Sequence, residues 1–358
     1  MVGSSLNGES LRRREALRGL RRMRAAPPGM AGQNAQRLRT FQAALEQAEQ
    51  FLSSAESAGY ETKPVFAFYA LSQAGRAIAA ASGHLTDDEY RPSGHGMRVL
   101  NTRDQADLWA AEVEVNKAGT PQSVARAMGS PMWPAKTKLT LAEIWPLVPE
   151  TASEHPPSAV PSDFPALRYE AQGTSGAWEV AYLHGVPMTV FRQREDSSAV
   201  AKWLSHYPTL AGWQGGTSTH NRALPAIDWV GGELRMMLLW QRSRTHQSRQ
   251  VDPAQWVRHA EQYRGGWWVL PAHAGMAQPV QAMVAWWAAL LALSTFARYE
   301  PESWAAMIDV DNPGSPAVAI EHFLDTALDA IPELVGGALS YVSAFASDPY
   351  VAGQPPAP

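Results

Sequence analysis

KPVFAFYALSQAGRAIAAASGH, Lys63 to His84, decides how this chain folds. Val65, Phe66, Phe68, Tyr69, Leu71 and Ile78 cover most of a helix's circumference, so other elements must enclose the segment on nearly every side. Pro64 falls in the first turn, where its missing N–H costs little, and Gly83 closes the helix. One arginine, Arg76, interrupts the apolar surface. It lies seven residues after Tyr69 and three or four after Ser72 and Gln73, on a single polar stripe. A buried guanidinium demands carboxylate or carbonyl partners, because leaving it unpaired costs on the order of several kcal/mol. The expected arrangement is a buried network joining this helix to a loop or to a later helix. A ligand phosphate or carboxylate is the alternative.

Immediately upstream, Ala35 to Ala58 repeats apolar residues at three- and four-residue steps (Leu38, Phe41, Leu45, Ala48, Phe51, Leu52), and Gly59 ends the run. Two such helices joined by Gly-Tyr-Glu-Thr form a helical hairpin, the nucleus of a bundle. The other strongly apolar helix is expected at Gln278–Arg298, with further helical segments from Pro301 and between Ser315 and Leu339. Helices this apolar need each other's surface, so both ends of the chain are expected to share one bundle.

Between them the pattern is mixed. Asp87–Arg103 reads as loop or short strand, and Gln105–Ala118 as a helix packing through Leu108, Trp109 and Val113. EHPPSAVPSDFP is the strongest linker signal. AWEVAYLH, PMTVFRQ and GELRMMLLWQ read as strands of a small antiparallel sheet, Asp252-Pro253 as a helix start, and GGWWVLP as an aromatic turn or strand. The expected fold is mainly α, within the α+β class: a helical bundle with a small antiparallel sheet in the middle of the chain. The expected divisions are a basic flexible tail (1–33), an N-terminal helical part (34–150), a Pro-rich linker (151–177), the small sheet with late helices packing back (178–345), and a flexible tail (346–358).

Composition narrows function mostly by exclusion. The 358 residues carry a formal net charge of −4, with 45% hydrophobic and 18% charged residues, as in globular proteins. That charge gives no global reason to expect nucleic acid or an anionic membrane as partner. No cysteine is present, which excludes disulfides, thiolate metal sites and a Cys nucleophile and fits a reducing, cytoplasmic setting. The Arg-rich N-terminus lacks the apolar core of a secretory signal, and the longest apolar run, Ala282–Ala297, falls short of the roughly 20 residues a bilayer requires.

No Walker A loop, G-x-G-x-x-G turn, H-E-x-x-H helix or G-x-S-x-G elbow occurs. WQGGTSTHNR (Trp213–Arg222) has the small residues of a phosphate nest without the lysine, and reads as a surface loop. DVDNPG (Asp309–Gly314) copies half a calcium loop, but Pro313 and Ile320 stand where ligands belong, so a turn is expected. No cofactor and no metal is indicated. SGHGMRVLNTR gathers His95, Arg98, Asn101 and Arg103. Were the chain an enzyme, Arg76, His95 and Arg98 would be the catalytic candidates, a proton carrier beside phosphate-holding cations. Were it a ligand binder, Arg76, His95, Asn101, Arg298 and Trp286 are the candidates; an aromatic pocket from Trp267, Trp268, Trp286 and Trp287 is a variant of that reading.

Two segments carry a family likeness. KPVFAFYALSQAGRAI with the following SGHGM, and the late LLALSTFARYEPESW (Leu290–Trp304), resemble the bacterial YaaC-like family, which pairs an aromatic, Arg-containing helix with a late Ala-Arg-Tyr-x-Pro-x-x-Trp segment. The likeness spans roughly residues 35 to 340 and implies no established activity. FYALSQAGRAIAA (Phe68–Ala80) is also similar to the Tyr-rich, Arg-containing helix of HEPN domains. Their ribonuclease members carry Arg, four to six residues, then His on a later helix, and this chain has no clear copy. The first function expected is that of an uncharacterised, non-enzymatic helical protein that binds an unidentified protein partner or regulates one, within a bacterial stress or phage-defence module. A HEPN-like enzyme or binder acting on RNA or a nucleotide and a small-molecule binder with an aromatic pocket are the alternatives.

Overall fold

Asn34 Oδ1 accepts the backbone N–H groups of Gln36 and Arg37 at 2.9 and 3.1 Å and so opens the first core helix. The computed structural model describes residues 3–103, 107–152, 162–175, 178–216, 226–241, 261–273 and 275–344. In chain order these form α1 (Gly3–Ala25), α2 (Ala35–Ser57), α3 (Lys63–Ala81), β1 (Met97–Leu100), β2 (Glu112–Val115), α4 (Thr120–Ala127), β3 (Lys138–Thr140) and α5 (Leu141–Ile144). There follow β4 (Leu167–Ser175), β5 (Trp178–His184), α6 (Met188–Arg192), α7 (Ser197–Leu204), β6 (Gln214–Gly215), β7 (Ile227–Val230) and β8 (Glu233–Gln241). The chain continues through β9 (Glu261–Tyr263), β10 (Gly266–Val269), α8 (Ala282–Tyr299), α9 (Pro301–Met307) and α10 (Ala317–Ala344). Among the described residues two compact units result, one from those up to 144 and from 283 onward, the other from those between 145 and 282.

In the first unit α3 lies along α2 and against α10, and α1 covers α10. Ala67, Phe68, Ala70, Leu71, Ala77, Ile78 and Ala79–Ala81 of α3 are all fully buried, as the apolar circumference requires. Gly75 sits where Trp287 of α8 and the Thr120 methyl press on the helix: a Cβ at residue 75 would run into the indole and come within 2.9 Å of that methyl. Lys63 Nζ and Tyr60 OH both donate to Asp325 of α10, at 2.7 and 2.8 Å, and tie the start of α3 down. Burial and the neighbouring Asp325 push the Tyr60 hydroxyl up to about 12. Helix α8 is long and apolar enough to span a membrane by length and composition, but 78% of it is buried among other elements, the environment of a core helix. A three-stranded antiparallel sheet, β1-β2-β3, completes the unit.

The second unit is built on a seven-stranded antiparallel sheet in the order β6-β8-β5-β4-β10-β9, with β7 also paired to β8. Alternate residues Leu167, Tyr169, Ala181, Leu183, Met236 and Leu238 face a core closed by Val190 of α6 and Val200 and Trp203 of α7. Outside that core, buried His184 has Nδ1 3.0 Å from Glu233 and Nε2 2.7 Å from Glu170, while Arg168 donates to Glu233 at 2.7 Å.

A mainly α chain with one small sheet is therefore the wrong description. Two antiparallel sheets of three and seven strands make this a mixed α+β fold. Strand β4 lies inside the stretch assigned to the linker. β2 lies inside the expected Gln105–Ala118 helix, where only a 3-10 turn at Leu108–Ala110 precedes it. PMTVFRQ runs the other way: it reads as a strand and forms α6, because Pro187 supplies an extended N-cap that turns the chain. The basic N-terminal run, expected as a tail, is helical, with Leu20 only 1% exposed. DVDNPG is a turn, closed by Asp309 bonds to Asp311, Asn312 and Ser315. The expected helix at Asp252 and most of WQGGTSTHNR lie outside the described residues.

Candidate functional site

The loop after α3 is fixed by the N-terminus of α4. Gly94 O accepts from the N–H and hydroxyl of Thr120 at 3.3 and 3.2 Å; Gly96 O accepts from Asn116 N–H at 2.9 Å and Gln122 Nε2 at 2.7 Å. Gly96 has φ +68°, and a Cβ there would meet the Gln122 side chain and the Pro121 ring, so only glycine fits. Between these two clamped glycines stands His95. Its imidazole lies edge-on to Phe68 at 5.2 Å and to Tyr69 at 6.2 Å, and Phe51 of α2 stacks on Tyr69 at 5.6 Å.

Two guanidiniums bear on this aromatic group. Arg298, in the last turn of α8, donates from Nε to Ser294 O at 2.9 Å and from Nη1 to Tyr69 OH at 3.3 Å, with its Cζ 5.8 Å from the Tyr69 ring centre. Arg76 is half-buried, and its Nε is buried with no hydrogen-bond partner. Neither arginine has a carboxylate partner among the described residues. Partial burial first, then the charges of Arg298 and Arg76, pull the His95 imidazole below its usual range. At neutral pH the ring is therefore uncharged, with one N–H to donate and one lone pair to accept.

The structure thus brings Arg76, His95 and Arg298 together and leaves the other candidates apart. Arg98 is spent on Glu114 across the β1–β2 pair, at 3.0 and 2.6 Å on an exposed face. Asn101 holds a left-handed turn at φ +56° and is exposed. Trp286 is fully buried with its ring 4.5 Å from Phe323, and is core. Trp286 and Trp287 belong to the first unit, Trp267 and Trp268 to the second. No group of three His, Asp or Glu side chains among the described residues has the arrangement to hold a metal ion.

Sequence reasoning missed a further buried arginine. Arg37 of α2, 6% exposed, donates to the carbonyls of Ser82 at 2.6 Å, Ala80 at 3.4 Å and Leu85, at the C-terminal end of α3. Its Cζ also lies 4.3 Å from the Tyr90 ring centre. The signal was available: Arg37 precedes Phe41 by four and Ala44 by seven, on the helix's buried stripe.

Fold and cluster together define a two-unit, cysteine-free α+β protein in which an imidazole is flanked by two arginines on the helical unit. The chain belongs to the YaaC-like protein family, whose model matches residues 24–339. No curated protein and no solved structure matches it.

Proposed function

We propose that this protein is a non-enzymatic binder that takes a small anion, a phosphate or carboxylate, between Arg76 and Arg298 and acts as a regulatory component. The observation that supports this reading most is the missing counter-charge: burial and then the charges of two arginines depress one imidazole, and among the described residues neither arginine has a carboxylate to neutralise it. A planar guanidinium fork suits two oxygens of such an anion, and the His95 N–H adds a third donor. Tyr69 OH, already bonded to Arg298, lies at the same place.

The test is a titration of the full chain with inorganic phosphate while the His95 ring is followed by NMR across pH. An anion between the arginines screens the charges that push the proton off, so the His95 pKa should rise on saturation. Arg76→Ala should abolish the shift without lowering stability, and Arg98→Gln should leave it intact. A phosphate response that persists in Arg76→Ala, or no saturable response in wild type, would sink the reading.

A further inference from the structure

Helix α1 carries a concentration of charge unlike the rest of the chain. Between Leu11 and Ala25 stand seven arginines and one glutamate, in a protein of net charge −4. The arginines divide by direction. Arg13 pairs with Glu56 at 3.2 Å, Arg21 with Glu49 at 3.0 Å and Arg24 with Glu49 at 3.5 Å. Arg12, Arg14, Arg18 and Arg22 are exposed, and among the described residues the side chains of Arg12, Arg18 and Arg22 have no ion pair or hydrogen bond. Arg18 and Arg22 stand four residues apart, about 6 Å along one side of the helix. The apolar side is already used: Leu20 is 1% exposed, and α1 packs on α10 and α2.

We infer that the outer face of α1 is a docking surface for the phosphate backbone of a nucleic acid, held without base reading. Charge complementarity carries the choice of occupant. An anionic membrane would want bulky apolar residues on the same free face, and among the described residues Leu11, 51% exposed, is the only large one there. A protein interface would want a central apolar anchor, which this row also lacks. Forked donors at Arg12, Arg18 and Arg22 with no wedge between them fit the phosphates of a nucleic-acid backbone. This reading is independent of the anion bound near His95, because α1 contributes nothing to that cluster.

The experiment is fluorescence anisotropy of a labelled mixed-sequence DNA duplex with the full chain across salt concentration. Wild type should bind at low salt with no preference between unrelated sequences. Replacing Arg18 and Arg22 together by glutamine should reduce the slope of log K against log salt by about 1.8, at about 0.9 per phosphate contact. Circular dichroism checks that the double variant is folded; should it not be, Arg18→Gln alone should reduce the slope by about 0.9. Absence of binding at low salt, or an unchanged slope in the folded variants, overturns the inference. So does binding to phosphatidylserine vesicles that exceeds duplex binding and is lost in the same variants.

Discussion

Arg37→Met tests the physical account of the helical unit most sharply. The guanidinium is 6% exposed and donates to three carbonyls, those of Ala80, Ser82 and Leu85, just where α3 ends and its terminal carbonyls lack helical partners. A cation there also meets the negative end of the helix dipole. Methionine keeps much of the aliphatic volume, so packing changes little and the stranded carbonyls dominate. Each hydrogen bond to a charged group contributes about 1.5–3 kcal/mol, and water can recover part of three, so a loss of about 3–5 kcal/mol is expected. Guanidinium chloride unfolding followed by far-UV circular dichroism should show a lower midpoint at unchanged slope. Arg76→Ala, measured beside it, should not fall below wild type, because among the described residues no partner is stranded. An Arg37→Met protein within about 1 kcal/mol of wild type would refute the assignment of these three bonds as a stabilising cap.

Two more expectations rest on single residues. Gly75→Ala improves intrinsic helix propensity by about 1 kcal/mol, yet the new methyl meets Trp287 and Thr120, so thermal unfolding should show a net loss of about 1–3 kcal/mol, partly restored by Trp287→Phe. Glu261 accepts the Ala282 N–H at 2.7 Å, and burial first, then Glu150, raises its carboxyl from 4.5 to about 7. The folded state therefore holds this proton more tightly than the unfolded one, and stability should fall as pH rises from about 4.5 to about 7. Glu261→Gln should flatten that segment of the stability–pH curve and be the more stable form at pH 8; an unchanged curve would count against it.

Periodicity alone located α2 and α3 to within a few residues and placed α8 and α10, because their apolar stripes run long enough to average out local noise. Strands β5 and β8 were legible through the alternation that their shared core face imposes. Strand β4 alternates as well, Leu167 and Tyr169 inward with Arg168 and Glu170 outward, but the prolines just before it made the stretch look like linker. Five residues of α6 are too few to express a helical period, and their β-branched content pointed to a strand. At the site, Arg76 and His95 were visible as polar intrusions. That Arg298 joins them, more than 200 residues later, follows from how α8 seats against α3 through Trp287 and Gly75, which no local pattern encodes.

The helical unit is assembled from the two ends of the chain, and this has a consequence for synthesis. About 200 residues separate the end of α3 from the start of α8. At about 5–20 residues per second, a ribosome takes roughly 10–40 s to cover that distance. Throughout that interval the slot at Gly75 has no indole to fill it, and the surface that α10 will cover faces water or a holdase. A nascent chain in this state offers an apolar helix to any chaperone that samples it. Ribosome-associated factors should crosslink to the aromatic face of α3 until α8 and α10 have left the exit tunnel, and release it once they have.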